Sequence, residues 1–322
     1  MVTSSSRQGA RTVRYGIQES PPLWLVKFRL GIVYAGAVAA PVFFSPTWSL
    51  LGLFAVSYAV RMWSAEAVLH RFFAHRAFRT GRIMQCILGI LACLAGQRGP
   101  LWWAAIHHVH HKHSDTAEDP HSPVAHSFWI AQSGWFLDPD HIDTNLDHVR
   151  YYARFPELRW LNVHYMTPFF AVAVVLFLCG HAGWLGAGTS GLAAMCWGAF
   201  LPATLSVHLF SLVNSLGHWR RHLGGWRRYD TDDESVNRPL LALLTFGTGW
   251  HNNHHRYANA ARAGFAWYEV DISYYVLRVL AWCGLVHHLR PVPDKILVEG
   301  GIGRTTPSDH TGIYPSSSQD GA

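Results

Sequence analysis

The sequence predicts an all-α membrane protein: four transmembrane helices in two hairpins, under a cytoplasmic helical cap that holds a histidine-rich metal site. Half of the 322 residues are hydrophobic and only 14% are charged, too few charges to cover a soluble protein of this size. Four apolar stretches, residues 25–44, 48–69, 167–185 and 191–213, approach the ~20 residues needed to cross a bilayer core. Histidine, present 22 times, recurs in repeated spacings just past or between those stretches.

Residues 1–22 are Ser- and Arg-rich with no acid before Glu19, which reads as a disordered basic arm. No separate apolar run precedes the first span, so the arm does not read as a signal peptide. The turns inside the two hairpins, Ser45 to Thr47 and Gly186 to Ser190, contain no Lys or Arg, so all 26 basic residues lie elsewhere. By the positive-inside rule these turns face away from the cytoplasm, and both termini and every histidine cluster face it. That distribution also accounts for the net charge of +6 without a nucleic-acid partner. Arg61, inside the second stretch, is expected to face the protein interior and pair with Glu66. The run Ile83 to Ala95 is too short to span and is flanked by Arg79, Arg82 and Arg98, as an interfacial or cap helix would be. The membrane domain thus covers 23–299, with the cap formed by 70–166 and 214–299, and 300–322 reads as a disordered Gly/Ser/Pro-rich tail. The five cysteines sit singly in apolar runs and read as small hydrophobes.

Three histidine clusters stand out: His70 and His75 (HRFFAH), His107, His110 and His111 (HHVHH), and His251, His254 and His255 (HNNHH), with His218 before the third. On a helix, positions i, i+3 and i+4 share a face, so each HxxHH can converge on one side. His70 and His75 are five apart and do not stack on an ideal helix, so the second span is expected to end or loosen there. A structural zinc site needs four ligands and typically some thiolate. A carboxylate di-metal site needs two Glu-x-x-His helices, and the only match, Glu118 to His121, contains Pro120. Haem would use one or two imidazoles. A two-iron site ligated mainly by histidine uses the whole set. Asp115, Asp119 and His121 are placed to orient ligating imidazoles, with capping and turn formation as the competing role. Trp102 and Trp103 precede the second cluster, with Trp103 one turn before His107. They are candidates for lining a substrate tunnel or for an interfacial tryptophan belt.

The boxes HxxxxH, HxxHH and HxxHH, together with HHKHSDTAEDPH (His110 to His121), Gly134-Trp135, NSLGH (Asn214 to His218) and GWHNNHH (Gly249 to His255), resemble the membrane-bound fatty acyl desaturases. The likeness spans roughly His70 to Tyr268 and is to the Δ9, stearoyl-CoA-desaturase-like group, in its bacterial branch. It implies four membrane helices under a cytoplasmic cap, in an integral, multi-pass protein of a bacterial inner membrane. It also implies two non-haem irons. His70, His75, His111 and His254 would hold one, with Asn214 acting through a water; His107, His110, His218, His251 and His255 would hold the other. His108 is extra to the pattern. The activity implied is O2-dependent insertion of a cis double bond, at Δ9, into a saturated acyl chain.

The boxes alone also occur in hydroxylases of alkanes, sterols or carotenoids, the alternative reading. A membrane metal-binding or transport protein is a third, which would place more polar residues inside the spans. No ferredoxin-like cysteine set or fused haem domain is visible, so two electrons must come from a separate ferredoxin, rubredoxin or cytochrome b5-like donor with its reductase. Animal acyl-CoA enzymes carry an Arg-Asp pair before the second box where this chain has Ala105-Ile106, which leaves acyl-CoA, acyl carrier protein and acyl-lipid open as substrates. The arginines Arg220, Arg221, Arg227 and Arg228 are candidates to hold a phosphate-bearing carrier or dock the donor, or simply follow the positive-inside rule.

Overall fold

A computed structural model describes residues 14–186, 188–219 and 225–302. Most of the arm (1–13), most of the tail (303–322), Arg220 and Arg221 lie outside the described residues.

The chain is almost entirely helical. Helix α1 (Leu23–Phe43) precedes α2 (Trp48–Trp63), whose first turn is capped by the Thr47 side chain accepting from Leu50 N at 3.2 Å. Without a break, α2 widens into a π-helical stretch, Ser64–Ala74, closed by a bond from His75 N to His70 O at 3.1 Å. Then follow α3 (Arg82–Leu94), α4 (Pro100–His113), α5 (Pro156–Val163) and α6 (Met166–His181). Helix α7 covers Gly191–Gly217 with a wide turn over Cys196–Phe200, and its N-terminus is capped by Ser190. The cap closes with α8 (Pro239–Leu244), α9 (His251–Arg256), α10 (Ile272–Trp282) and α11 (Asp294–Glu299).

By length and composition, α1 and α7 can each cross a membrane, and α5 with α6 makes a third candidate if that pair, bent by 69°, is one span. Helices α2 and α6 have 16 residues each. That is about 24 Å at 1.5 Å per residue, short of the ~30 Å hydrocarbon core. The rest of the second apolar stretch is the π-helical segment, which carries Glu66 and, just beyond, His70 and Arg71, all buried.

Helix α7 is the central post, packed against α1, α2 and α6. Its start crosses α6 at glycines. A Cβ on Gly180 would sit 2.7 Å from Ser190 O, and one on Gly191 would sit 2.6 Å from Phe177 O. Small residues let the backbones approach, as they do between membrane helices. The expected interfacial helix is α3, which buries Gln85, Leu88, Ala92 and Cys93 and exposes Ile83, Ile87 and Ile90.

One expectation changes. Arg61 is buried but does not reach Glu66: it bonds Ser57 Oγ at 3.1 Å and Leu94 O, and lies over the Phe169 ring. Glu66 is taken instead by His70, Arg71 and Thr248, one turn farther along the chain or across it. In the described part of the arm, from Arg14, the strand β1 (Ile17–Gln18) pairs antiparallel with β2 (Thr144–Asn145) and Tyr15 N bonds Asp147 at 3.0 Å.

Candidate metal centre

Two buried groups of imidazoles meet where α2, α4, α7 and α9 end. The first holds His70, His75, His107, His111 and His254, and the second holds His110, His218, His251 and His255. In the first, the Nε2 atoms of His70 and His254, of His254 and His111, and of His75 and His107 are each 2.9 Å apart, and those of His111 and His107 are 3.0 Å apart. In the second, His218 and His251 meet at 2.8 Å and His110 and His255 at 3.3 Å. The groups adjoin, with the rings of His111 and His255 stacked at 4.7 Å.

Local geometry explains the sorting. The π-helical stretch lets His70 and His75, five apart, serve one group. On α4 the pair one turn apart, His107 and His111, faces the first group while His110 faces the second. On α9 the sense is reversed: His251 and His255 face the second group and His254 the first. Each HxxHH helix thus supplies both groups. His107, which the resemblance sets with the second, lies among the rings of the first, on the face it shares with His111. His108 joins neither group, since its ring nitrogens reach Ala74 O at 2.7 Å and His148 O at 3.1 Å.

Carboxylates hold the outer edges of four rings. His70 Nδ1 donates to Glu66 at 2.8 Å, His110 Nδ1 to Asp119 at 2.9 Å, His218 Nδ1 to Asp115 at 2.8 Å and His255 Nδ1 to Asp233 at 2.5 Å. A neutral imidazole donating from Nδ1 presents a bare Nε2, so His70 in the first group and His110, His218 and His255 in the second offer inward lone pairs compatible with a metal ion. The separations fit one: two nitrogens about 2.1 Å from a metal and at right angles are about 3.0 Å apart. Burial, and then neighbouring imidazoles, hold His75, His107, His111, His251 and His254 well below the ordinary histidine range. Burial also takes His255 down to about 4 although Asp233 opposes it. His218 moves up because Asp115 outweighs its burial. Burial would raise Asp115, but His218 beside it brings it down to about 2. Asp119 and Asp233 are likewise held low by His110 and His255 against their burial.

Of the other residues singled out, Asp115 and Asp119 are the partners just described. His121 stacks at 4.3 Å on His110, 3.7 Å from Asp119, and its own Nδ1 is buried without a hydrogen-bond partner. Asn214 is half-buried on α7, one turn before His218. Trp103 stacks on His107 at 4.7 Å and donates to Gln97 at 3.0 Å. Trp102 turns the other way, stacking on Trp135 at 5.5 Å and donating to His141 O. Gln97 lines a narrow, mostly apolar cleft of about 40 Å³ between α1, α6 and α7, bordered also by Tyr34, Phe169, Ala203 and Val207. Trp103 therefore stands between that cleft and the first group, and Trp102 belongs to the core of the cap.

Ala105 and Ile106 are buried. Arg227 and Arg228 are committed internally: the first bonds carbonyls of Thr231 and Ser235, the second Glu269 at 2.7 Å. Sequence reasoning missed Asp233 and the role of Glu66. Glu66 stands four before His70, a same-face spacing that could have found it; Asp233 lies in an acidic run with no local signal.

Fold and centre define a class, a helical, membrane-associated protein with a histidine-built site compatible with metal. A profile of fatty acid desaturases matches residues 46–278. The chain is 32% identical over 271 residues to Delta-9 acyl-lipid desaturase 2 of Arabidopsis thaliana, covering 84% of this chain and 83% of that one. It is also 32% identical over 271 residues to sn-1 stearoyl-lipid 9-desaturase of Anabaena variabilis, covering 83% and 93%. An acyl-CoA C20 Delta5-desaturase of Anemone leveillei matches at 30% over 279 residues, 82% of each. The chain belongs to the fatty acid desaturase family and is an oxidoreductase of lipid metabolism.

Proposed function

We propose that this chain inserts a cis Δ9 double bond into a saturated long acyl chain carried on a membrane lipid. The observation that carries the reading is the pair of interlocked imidazole groups set beside an apolar cleft. His70, His75, His107, His111 and His254 would hold one iron, and His110, His218, His251 and His255 the other, with Asn214 contributing through a water. When bound, the irons supply what no side chain can, the O2-dependent removal of two hydrogens from adjacent methylenes that have no acidic proton. The balance is one O2, two electrons from a separate donor and two protons in, one double bond and two waters out.

The chain's own residues set the conditions. Glu66, Asp115, Asp119 and Asp233 fix the rings to which they accept hydrogen bonds. Trp103, between His107 and the cleft, and Phe210 beside it exclude water from the side where the acyl chain would lie. The cleft admits that chain only when lining side chains swing aside. A membrane carrier is supported by the names of the acyl-lipid relatives and by the buried Ala105-Ile106, which offers no charge to a soluble carrier. In this reading α1, α2, α6 and α7 are four spans, and the cap, the metal centre and both termini face the cytoplasm of a bacterial inner membrane.

The test is expression in a host with its own electron-transfer proteins, followed by gas chromatography–mass spectrometry of the lipids. New Δ9-monounsaturated chains, lost in His111→Ala, are expected. Hydroxylated products would transfer the chain to the hydroxylase reading, and an unchanged profile from iron-loaded protein would overturn both.

A further inference from the structure

A second cavity, of about 240 Å³, shares no lining residue with the acyl cleft. Arg76, Arg79 and Arg290 line it with His287, Tyr151 and Gln85. It has no carboxylate in its wall. Among the described residues none pairs with the three arginines, and the acids on neighbouring elements are taken: Glu157 by Arg82 at 2.9 Å and Asp147 by Arg150 at 3.2 Å. Gln85 is 5% exposed, and its amide nitrogen has no hydrogen-bond partner, a buried donor that calls for an acceptor.

The cavity is built rather than incidental. Its rim is tied by Arg79 and His287, which exchange backbone bonds at 2.8 Å in both directions, and by Arg290 N to Ala77 O at 2.8 Å. Arg76 stacks on Tyr151 at 3.9 Å, so its guanidinium is held in place. Arg76 and His288, both in the wall, adopt left-handed backbone (φ 51° and 53°) that only the surrounding structure can impose.

Its surroundings identify the ligand. The rim joins the start of α3 to the chain just after α10, with Thr80 Oγ1 donating to Leu285 O. Both helices are too short to span, and both expose an apolar stripe: Ile83, Ile87 and Ile90 on α3, and Val276, Val279 and Trp282 on α10. Such helices lie at the headgroup layer. We infer that this cavity is a phosphate site that takes the headgroup of an anionic phospholipid, with the arginines as charged donors and Gln85 as the buried neutral one. The inference rests on the membrane placement proposed above but not on desaturation, and its test reads binding rather than product.

The test is calorimetric titration of the detergent-solubilised, delipidated, iron-loaded full chain. The probes are dihexanoyl phosphatidylglycerol, inorganic phosphate, and dihexanoylglycerol, which lacks the phosphate. The phospholipid is expected to bind and the phosphate-free lipid not to. Arg79→Gln with Arg290→Gln should weaken the phospholipid by about tenfold or more, the loss of one to two charge-assisted hydrogen bonds. Inorganic phosphate that competes for the site supports it, and if it binds more tightly than the phospholipid, the natural ligand is a soluble phosphate and the lipid assignment falls. Equal phospholipid binding by wild type and double variant overturns the site. If the double variant fails to fold, Gln85→Met, similar in size without the amide, must weaken the phospholipid, and unchanged binding there overturns the site equally.

Discussion

Asp115 accepts a 2.8 Å hydrogen bond from His218 Nδ1 and, through the same carboxylate, bonds Ser122 Oγ at 2.6 Å and Glu234 N at 2.8 Å. One side chain in the turn after α4 thereby fixes the last imidazole of α7. Asp115→Asn keeps the shape and tolerates the left-handed backbone there (φ 60°) while removing the charge. The expected result is metal affinity lower by about 10–100-fold in chelator competition, with helical content unchanged by circular dichroism.

His107 and His108 are neighbours with opposite fates. His107→Ala removes a donor from the first group and should lower the metal content of purified protein. His108→Gln, whose ring bonds only backbone carbonyls, should leave it as in wild type. Metal analysis by mass spectrometry distinguishes them, and equal losses would contradict the sorting of α4.

Arg71 is 2% exposed and bridges Glu66 and Asp271, at 2.5 Å and 2.9 Å. Arg71→Met leaves two buried carboxylates without their counter-charge, a loss of about 3–5 kcal/mol. Thermal unfolding in detergent should show a large drop. Arg82→Met, which breaks an exposed pair with Glu157, should show no measurable one.

Acid acts through the imidazoles. His255 at about 4, with His75, His107, His111, His251 and His254 also depressed, means that the folded chain binds fewer protons than the unfolded one, whose histidines titrate near ~6.5. Their contribution to stability is therefore complete above about pH 6.5 and is lost as pH falls toward about 4. The melting temperature of metal-free protein should fall through that window. A flat or rising profile would show that the imidazoles are not held neutral.

Much of the centre was legible because its logic is local. HxxHH on a helix places three rings where they can converge, and all nine proposed histidine ligands enter one of two groups, with Asn214 outside both. Which group each ring joins was not legible, because α4 and α9 face each other and an offset of three or four residues decides the side. Asp233 reaches His255 across 22 residues, a contact that no spacing reports. For the fold, hydropathy found α1 and α7. At α2 the apolar run continues past Trp63, but the helix widens there and turns its polar residues inward. Arg61 illustrates the same limit: proximity to Glu66 in sequence suggested a pair, but Arg71 lies on Glu66's side and Arg61 turns to Leu94.

The central claim is that the two imidazole groups hold two irons. Iron-to-protein stoichiometry on chain purified from iron-supplemented cells tests it most directly. The account predicts about two irons per chain, one for each group, falling to about one when His218 and His251 of the second group are both replaced by alanine. A single metal per chain in the wild type, or zinc at stoichiometric level with no iron, would contradict it.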